Sequence, residues 1–142
     1  MSIVISGTGL FTPKESISNE ELVDSYNQYV EIFNSENQDN INDGLVEALT
    51  PSNAEFIKKA SGIESRFVLD KEGILDPYRM RPSLNKRPND QISIQAEISI
   101  VACEEALTQA GKTAKDVDAV ICGCANLQRA YPAIAIEIQN EL

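Results

Sequence analysis

Histidine is absent from all 142 residues. That removes Ser-His and Cys-His nucleophilic pairs, which need an imidazole to take the proton. Mixed Cys/His zinc sites go with it, and Cys122-x-Cys124 alone supplies too few ligands, so no metal site is expected. Cysteine is scarce. Cys103, Cys122 and Cys124 are odd in number, and two of them sit too close together for an ordinary bridge. This argues against a disulfide scaffold and suits a reducing compartment, so a cytoplasmic location is expected. No apolar run approaches the roughly 20 residues that span a bilayer, and no membrane association is expected. The N-terminus Met1-Ser2-Ile3-Val4-Ile5-Ser6 lacks the basic region of a signal peptide. Gly7-Thr8-Gly9 lacks the third glycine of a dinucleotide fingerprint, and Pro13 follows where its helix would begin. Positive charge is missing from one long segment. Glu15 to Glu55 holds ten acidic residues and no Lys or Arg, whereas the remainder holds twelve of each sign. The net charge of −10 therefore arises in one stretch. It reads as a solvated helical surface, or as a face that repels anionic ligands. Nucleic-acid binding is not expected, because backbone phosphates need a clustered basic surface.

What is present is an ordinary globular composition, 42% hydrophobic and 24% charged. The length suits one domain able to bury a core. The chain is organised around Val117 to Gln139. The apolar run Val117, Ala119, Val120, Ile121 reads as a buried strand ending in Cys122-Gly123-Cys124-Ala125. A polar loop follows at Asn126-Leu127-Gln128-Arg129, and Pro132 opens a helix. In open α/β sheets ligands gather outside the carboxyl ends of strands, so this loop is a candidate for contact with one.

Taken in order, Ile3, Val4 and Ile5 favour a strand within the apolar stretch Ser2 to Phe11. Gly7 and Gly9 mark a bend or a close backbone approach at its end. Thr12 to Ser18 reads as a loop. Ser18 and Glu21 form a capping box ahead of a helix with Leu22, Tyr26, Val30 and Phe33 on its buried face. Asn34 to Asn42 reads as an exposed insertion, and Leu45 to Leu49 as a short helix before Pro51. Ser52 and Glu55 match a second capping box, for a helix ended by Gly62 in the left-handed conformation. Arg66 to Leu69 is a short strand candidate. Lys71 to Arg87 reads as irregular, because prolines interrupt it. Its Arg79, Arg81, Lys86 and Arg87 form a solvated loop or a surface for phosphate, of the kind carried by coenzyme A or a phosphopantetheine group. Ser93 to Gly111 is the clearest helix, and Thr113 to Asp116 caps one further turn. Strand and helix alternate, so the expected fold is a layered α/β domain with about three strands. The periodic pattern of Ile136 to Leu142 ends without a cap or breaker, and the expectation is a truncated chain.

Catalytic chemistry is thin in this inventory. Cys124 lacks a general base and reads as structural. Glu104 and Glu105 are adjacent on a helix and point apart, so they form no acid/base pair.

Four stretches in order carry a resemblance: Ile5-Ser6-Gly7-Thr8-Gly9 with Pro13, and Phe56 to Ile63 with Arg66. The third is Ala106 to Gly111 leading into Val117 to Ile121, and the fourth Ala130 to Ala135 with Ile138-Gln139. Together they resemble the N-terminal part of a 3-oxoacyl-[acyl-carrier-protein] synthase III, a thiolase-like condensing enzyme. Val68 to Pro77 with Arg79-Met80 looks like a subgroup with longer insertions, here near 34–51 and 71–91, whose members include synthases primed by medium-chain acyl-CoA.

The resemblance implies a thiolase-like N-terminal half over residues 1–142, homodimeric when complete. Such enzymes move an acyl group from acyl-CoA to a cysteine and condense it with malonyl-acyl-carrier protein. The products are 3-oxoacyl-carrier protein and carbon dioxide, and no separate cofactor is used. The family's catalytic Cys, His and Asn lie beyond this stretch, so the resemblance places no catalytic residue in this chain and implies that it is inactive alone. Phe56 falls at an aromatic near the coenzyme A adenine, and Ser61 at a neighbouring hydroxyl residue. The family's usual basic residue before that hydroxyl is Ala60 here, with Lys58 and Lys59 as the basic residues nearby. Tyr131 falls at an aromatic that crosses the dimer interface and lines the partner's acyl pocket. Two rival readings are a non-catalytic acidic module completed by another chain, and a stand-alone α/β binding domain.

Overall fold

A computed structural model describes residues 3–142. Met1 and Ser2, at the head of the expected N-terminal strand, lie outside the described residues. The architecture is mixed helix and small sheet, and the chain divides into two compact units.

Pro13–Asn85 is one unit. Strand β1 (Glu15–Ser18) leads directly into helix α1 (Asn19–Glu36). The expected capping box is present. The Ser18 hydroxyl accepts from the Glu21 amide at 3.2 Å, and the Glu21 carboxylate accepts from the Ser18 amide at 3.0 Å. β1 was expected as loop. It is a strand because β2 (Ser65–Val68) pairs with it antiparallel, Glu15 opposite Val68 and Ser18 opposite Ser65. That pairing joins segments about fifty residues apart in sequence, which no local pattern reports. Ile17 of β1 is fully buried, with Val23 and Val30 of α1. On the expected α1 face Val30 is buried, while Leu22, Tyr26 and Phe33 are only half-buried and Val23 and Ser25 are buried beside them.

α1 is followed by helix α2 (Gln38–Asn42), so the stretch Asn34 to Asn42, expected as an exposed insertion, is largely exposed and mostly helical. The segment 45–49 is not helical. Asn34 and Asn27, two turns apart on α1, hold it extended. The Asn34 side-chain amide exchanges two bonds of 2.9 Å with the backbone of Leu49, and Asn27 bonds both backbone groups of Ser52. Backbone groups occupied in this way have none left for a helical turn. Helix α3 (Ala54–Ser61) is capped by Asn53, one residue later than expected, because the Ser52 backbone is already held by Asn27. Gly62 ends α3 with φ 72°, as expected. Lys71 to Arg87 is not wholly irregular, since helix α4 (Lys71–Leu75) starts there. Its N-cap Asp70 accepts from the amides of Gly73 and Ser83, and Glu15 accepts from the Lys71 amide at 2.9 Å.

Lys86–Leu142 with the N-terminal residues to Thr12 makes the other unit. Helix α5 (Ile94–Ala110) has Ser93 as N-cap and Gly111 as left-handed C-cap, φ 63°, as the sequence indicates. A short 3-10 turn at Ala114–Asp116 carries the expected cap from Thr113. Helix α6 (Ile134–Glu141) begins two residues after Pro132. Ala96 of α5 packs with Ile134 and Ile138 of α6, and Cys103, Val120 and Cys122 border that core. Gly7 and Gly9 lie directly on α5. A Cβ at Gly9 would overlap the Ala102 carbonyl, and one at Gly7 the Ala106 carbonyl. The close approach expected of these glycines is therefore real. Thr8 and Leu10 donate their amides to the Gln109 and Glu105 side chains, at 2.6 and 2.8 Å.

Neither expected strand of this unit forms. Residues 3–5 and 117–121 have no ladder partner among the described residues, and Ile3 and Ile121 are 99% and 95% exposed. β-branched runs favour a pleated surface only when a neighbouring strand supplies one. The observed sheet has two strands rather than three.

Candidate functional site

Phe56 stands in the first turn of α3, its amide donated to Asn53 Oδ1 at 2.7 Å. Phe56 is 63% exposed and borders a groove of about 620 Å³ with Leu22, Tyr26, Ile57 and Met80. Met80 reaches the groove from a tight turn and has φ 49°. The Asp76 carbonyl closes that turn by accepting the amides of Arg79 and Met80 at 3.0 and 2.8 Å. A half-open apolar groove with an exposed aromatic at its rim can take one flat or aliphatic group.

Ser61 closes the same helix. Its hydroxyl donates to the Ile57 carbonyl at 2.7 Å and accepts from the Ile63 amide at 3.2 Å, so its polar capacity goes to the chain's own backbone. Lys58 pairs with Glu64 at 2.5 Å, and this contact raises the lysine's pKa and lowers that of Glu64. Lys59 is exposed and forms no ion pair among the described residues. Arg79 and Arg81 share a shallow hollow with Asp76 and Tyr78, and the Arg79 Nε donates to the Arg81 carbonyl at 3.2 Å. Lys86 and Arg87 belong to the other compact unit. Lys86 is exposed, while Arg87 donates to the Ile92 carbonyl at 3.0 Å and pairs with Glu97.

Tyr131 lies in the connection that leads into α6 and is 87% exposed. Cys124 is exposed, and its thiol donates to the Asn126 carbonyl at 2.8 Å. Burial pushes the Cys103 thiol up, the nearby Cys122 adding to it, which disfavours the thiolate a nucleophile needs.

A group the sequence reading passed over is the buried carboxylate of Glu137, 5% exposed in α6. It accepts from the Ser93 amide at 3.1 Å and from the Ser93 hydroxyl at 2.5 Å. The Arg129 guanidinium lies 3.8 Å from it and donates to the carbonyls of Asn89 and Gln91 at 3.0 and 2.7 Å. The signal was in the pattern. Glu137 sits three residues after Ile134 and one before Ile138, on the face that the apolar residues bury.

No protein-family model matches the chain. Curated relatives do. Two proteins named beta-ketoacyl-[acyl-carrier-protein] synthase III, from Bartonella bacilliformis and Bartonella tribocorum, are each 24% identical over 98% of this chain and 29% of their own length. Over nearly its whole length the chain is similar to proteins of that name, in keeping with the resemblance its motifs carry. A nearer relative is the beta-ketodecanoyl-[acyl-carrier-protein] synthase of Pseudomonas aeruginosa, 52% identical over 120 residues. That match takes in 84% of this chain and 34% of the relative. The chain spans about a third of the length of the curated relatives it matches.

Proposed function

We propose that these residues are part of a fatty-acid condensing enzyme of the synthase III type, an acyltransferase that draws its acyl group from acyl-CoA. The observation that carries this reading is the 52% identity to a beta-ketodecanoyl-[acyl-carrier-protein] synthase. In the reaction, an active-site cysteine displaces coenzyme A from its thioester and takes the acyl group. Malonyl-acyl-carrier protein then loses carbon dioxide. The carbanion so formed attacks the acyl thioester, returning the cysteine thiol and releasing 3-oxoacyl-carrier protein. Condensation adds two carbons, so a ketodecanoyl product requires a primer two carbons shorter, a medium-chain acyl-CoA.

In this reading the fold of the whole is thiolase-like, and the enzyme works as a homodimer in the cytoplasm. The chain described here contributes recognition; having no histidine, it cannot supply the base of a Cys-His pair. Phe56 meets the adenine at the rim of its groove. Its exposure supports this, because stacking needs an uncovered ring face. Ser61, already bonded to its own backbone, shapes the end of α3 beside that contact. Of the candidate cations, Lys59, Arg79, Arg81 and Lys86 are exposed and in no ion pair among the described residues, which leaves them available for coenzyme A or carrier phosphates. Lys58 and Arg87 would each have to leave an acidic partner first, Glu64 and Glu97. Tyr131, exposed in its loop, reaches a partner subunit's acyl pocket.

The test is condensation by the full-length protein supplied with malonyl-acyl-carrier protein and acyl-CoA primers of increasing length. Carbon dioxide release with a medium-chain optimum is the expected result. Absence of condensation with every primer overturns the reading and favours a non-catalytic module.

A further inference from the structure

We propose that Glu137 and Arg129 are positioning residues that fix the loop carrying Tyr131, and through it the acyl-length preference; this rests on the synthase reading of Tyr131. The first turn of a helix leaves backbone amides without intrahelical partners. At the start of α5, two of these amides are used to tie down the loop and helix that flank Tyr131. The Ser93 amide goes to Glu137 at 3.1 Å, and the Ile94 amide goes to the Gln128 side chain at 3.0 Å. The Ser93 hydroxyl adds a second bond to Glu137 while capping the Ala96 amide at 3.1 Å.

Arg129 completes the clamp. It reaches the carbonyls of Asn89 and Gln91 and stands 3.8 Å from Glu137, with its side chain only 13% exposed. Tyr131 itself is 87% exposed. Its place is set by anchors on either side, Gln128 and Arg129 before it and Ile134 and Glu137 after it. A buried carboxylate is retained only where paired and hydrogen-bonded, and here all its contacts bear on that loop or on the helix end beneath it.

The experiment uses Tyr131→Ala, Glu137→Ala, Glu137→Gln and Arg129→Met in the full-length protein. Two readouts are taken: relative kcat/KM across acyl-CoA chain lengths, and amide exchange of residues 126–131. Glu137→Ala and Arg129→Met are expected to speed exchange in the loop by about tenfold. They are also expected to move the chain-length ratio in the direction that Tyr131→Ala moves it. Combining Glu137→Ala with Tyr131→Ala should add no further shift, because one acts through the other. Glu137→Gln keeps an acceptor for Ser93 and should restore part of the preference. Arg129→Met leaves the Ser93–Glu137 bonds in place, so the test stands even if Glu137→Ala fails to fold. Activity that falls equally for every chain length in both clamp variants, while Tyr131→Ala shifts the ratio, overturns the proposal. A Tyr131→Ala variant with an unchanged ratio instead removes the acyl-pocket role of Tyr131. In that case unaltered loop exchange in the clamp variants overturns the clamp, and accelerated exchange supports it.

Discussion

At the scale of single residues, short polar side chains fix the local structure of the Pro13–Asn85 unit. Asn19 is the clearest case, 3% exposed at the junction of α1 and β2. Its side-chain amide donates to the Ile63 carbonyl at 2.6 Å, and its oxygen accepts from Arg66 at 3.1 Å. Asn19→Ala is expected to cost about 1–3 kcal/mol, since it removes both hydrogen bonds of a buried side chain and strands their part-buried partners. Asn42→Ala, at an exposed position, should be close to neutral; urea titration of both variants separates the two. Asp70 supplies a pH signature. The amides of Gly73 and then Ser83, hydrogen-bonded to its carboxylate, hold its pKa below the ordinary 3.8. Its contribution to stability is therefore complete above that value and is lost as the pH falls through the lower, folded-state value. Asp70→Asn should flatten the acid limb of a stability–pH profile and leave its neutral region with the same slope. In the sequence, Asn19 was visible only as a neighbour of a cap. Its partners Ile63 and Arg66 are more than forty residues away, which is why its role could not be read there.

At the scale of elements, what was legible is what local chemistry decides. The start of α1 at Ser18, the end of α3 at Gly62 and both ends of α5 follow from caps and left-handed glycines. Strands were harder, because a strand is a property of two segments. β1 looked like loop and pairs with β2, whereas the β-branched runs at 3–5 and 117–121 find no partner among the described residues. Of the candidate site, the sequence offered single residues and not their surroundings. Phe56 and Tyr131 are exposed, while the bonding of Glu137 to Ser93 emerged only once α5 and α6 were seen to meet. The contact of Gly9 with α5 yields a direct test. Gly9→Ala would press a methyl group into the Ala102 carbonyl and is expected to cost about 1–3 kcal/mol through overpacking. Gly123→Ala meets nothing within 4 Å and should shift the thermal midpoint little by comparison.

At the scale of the whole molecule, large apolar side chains stand uncovered. Ile3, Val4, Ile5, Leu10, Ile121 and Leu127 are between 62% and 99% exposed. A surface with that much exposed apolar area drives association. The 142-residue chain by itself is expected to self-associate in sedimentation velocity at micromolar concentration. A sharp monomer peak with a cooperative melt would show instead that these side chains are tolerated in water. No helix among the described residues is long and apolar enough to cross a membrane. The central claim is that these residues serve an enzyme that takes acyl groups from coenzyme A. Intact mass of the full-length protein, before and after incubation with a medium-chain acyl-CoA, tests it most directly. The account predicts a gain of one acyl group per chain in the full-length protein and none on the 142 residues alone. An unchanged mass in the full-length protein, with the acyl-CoA intact, would contradict it.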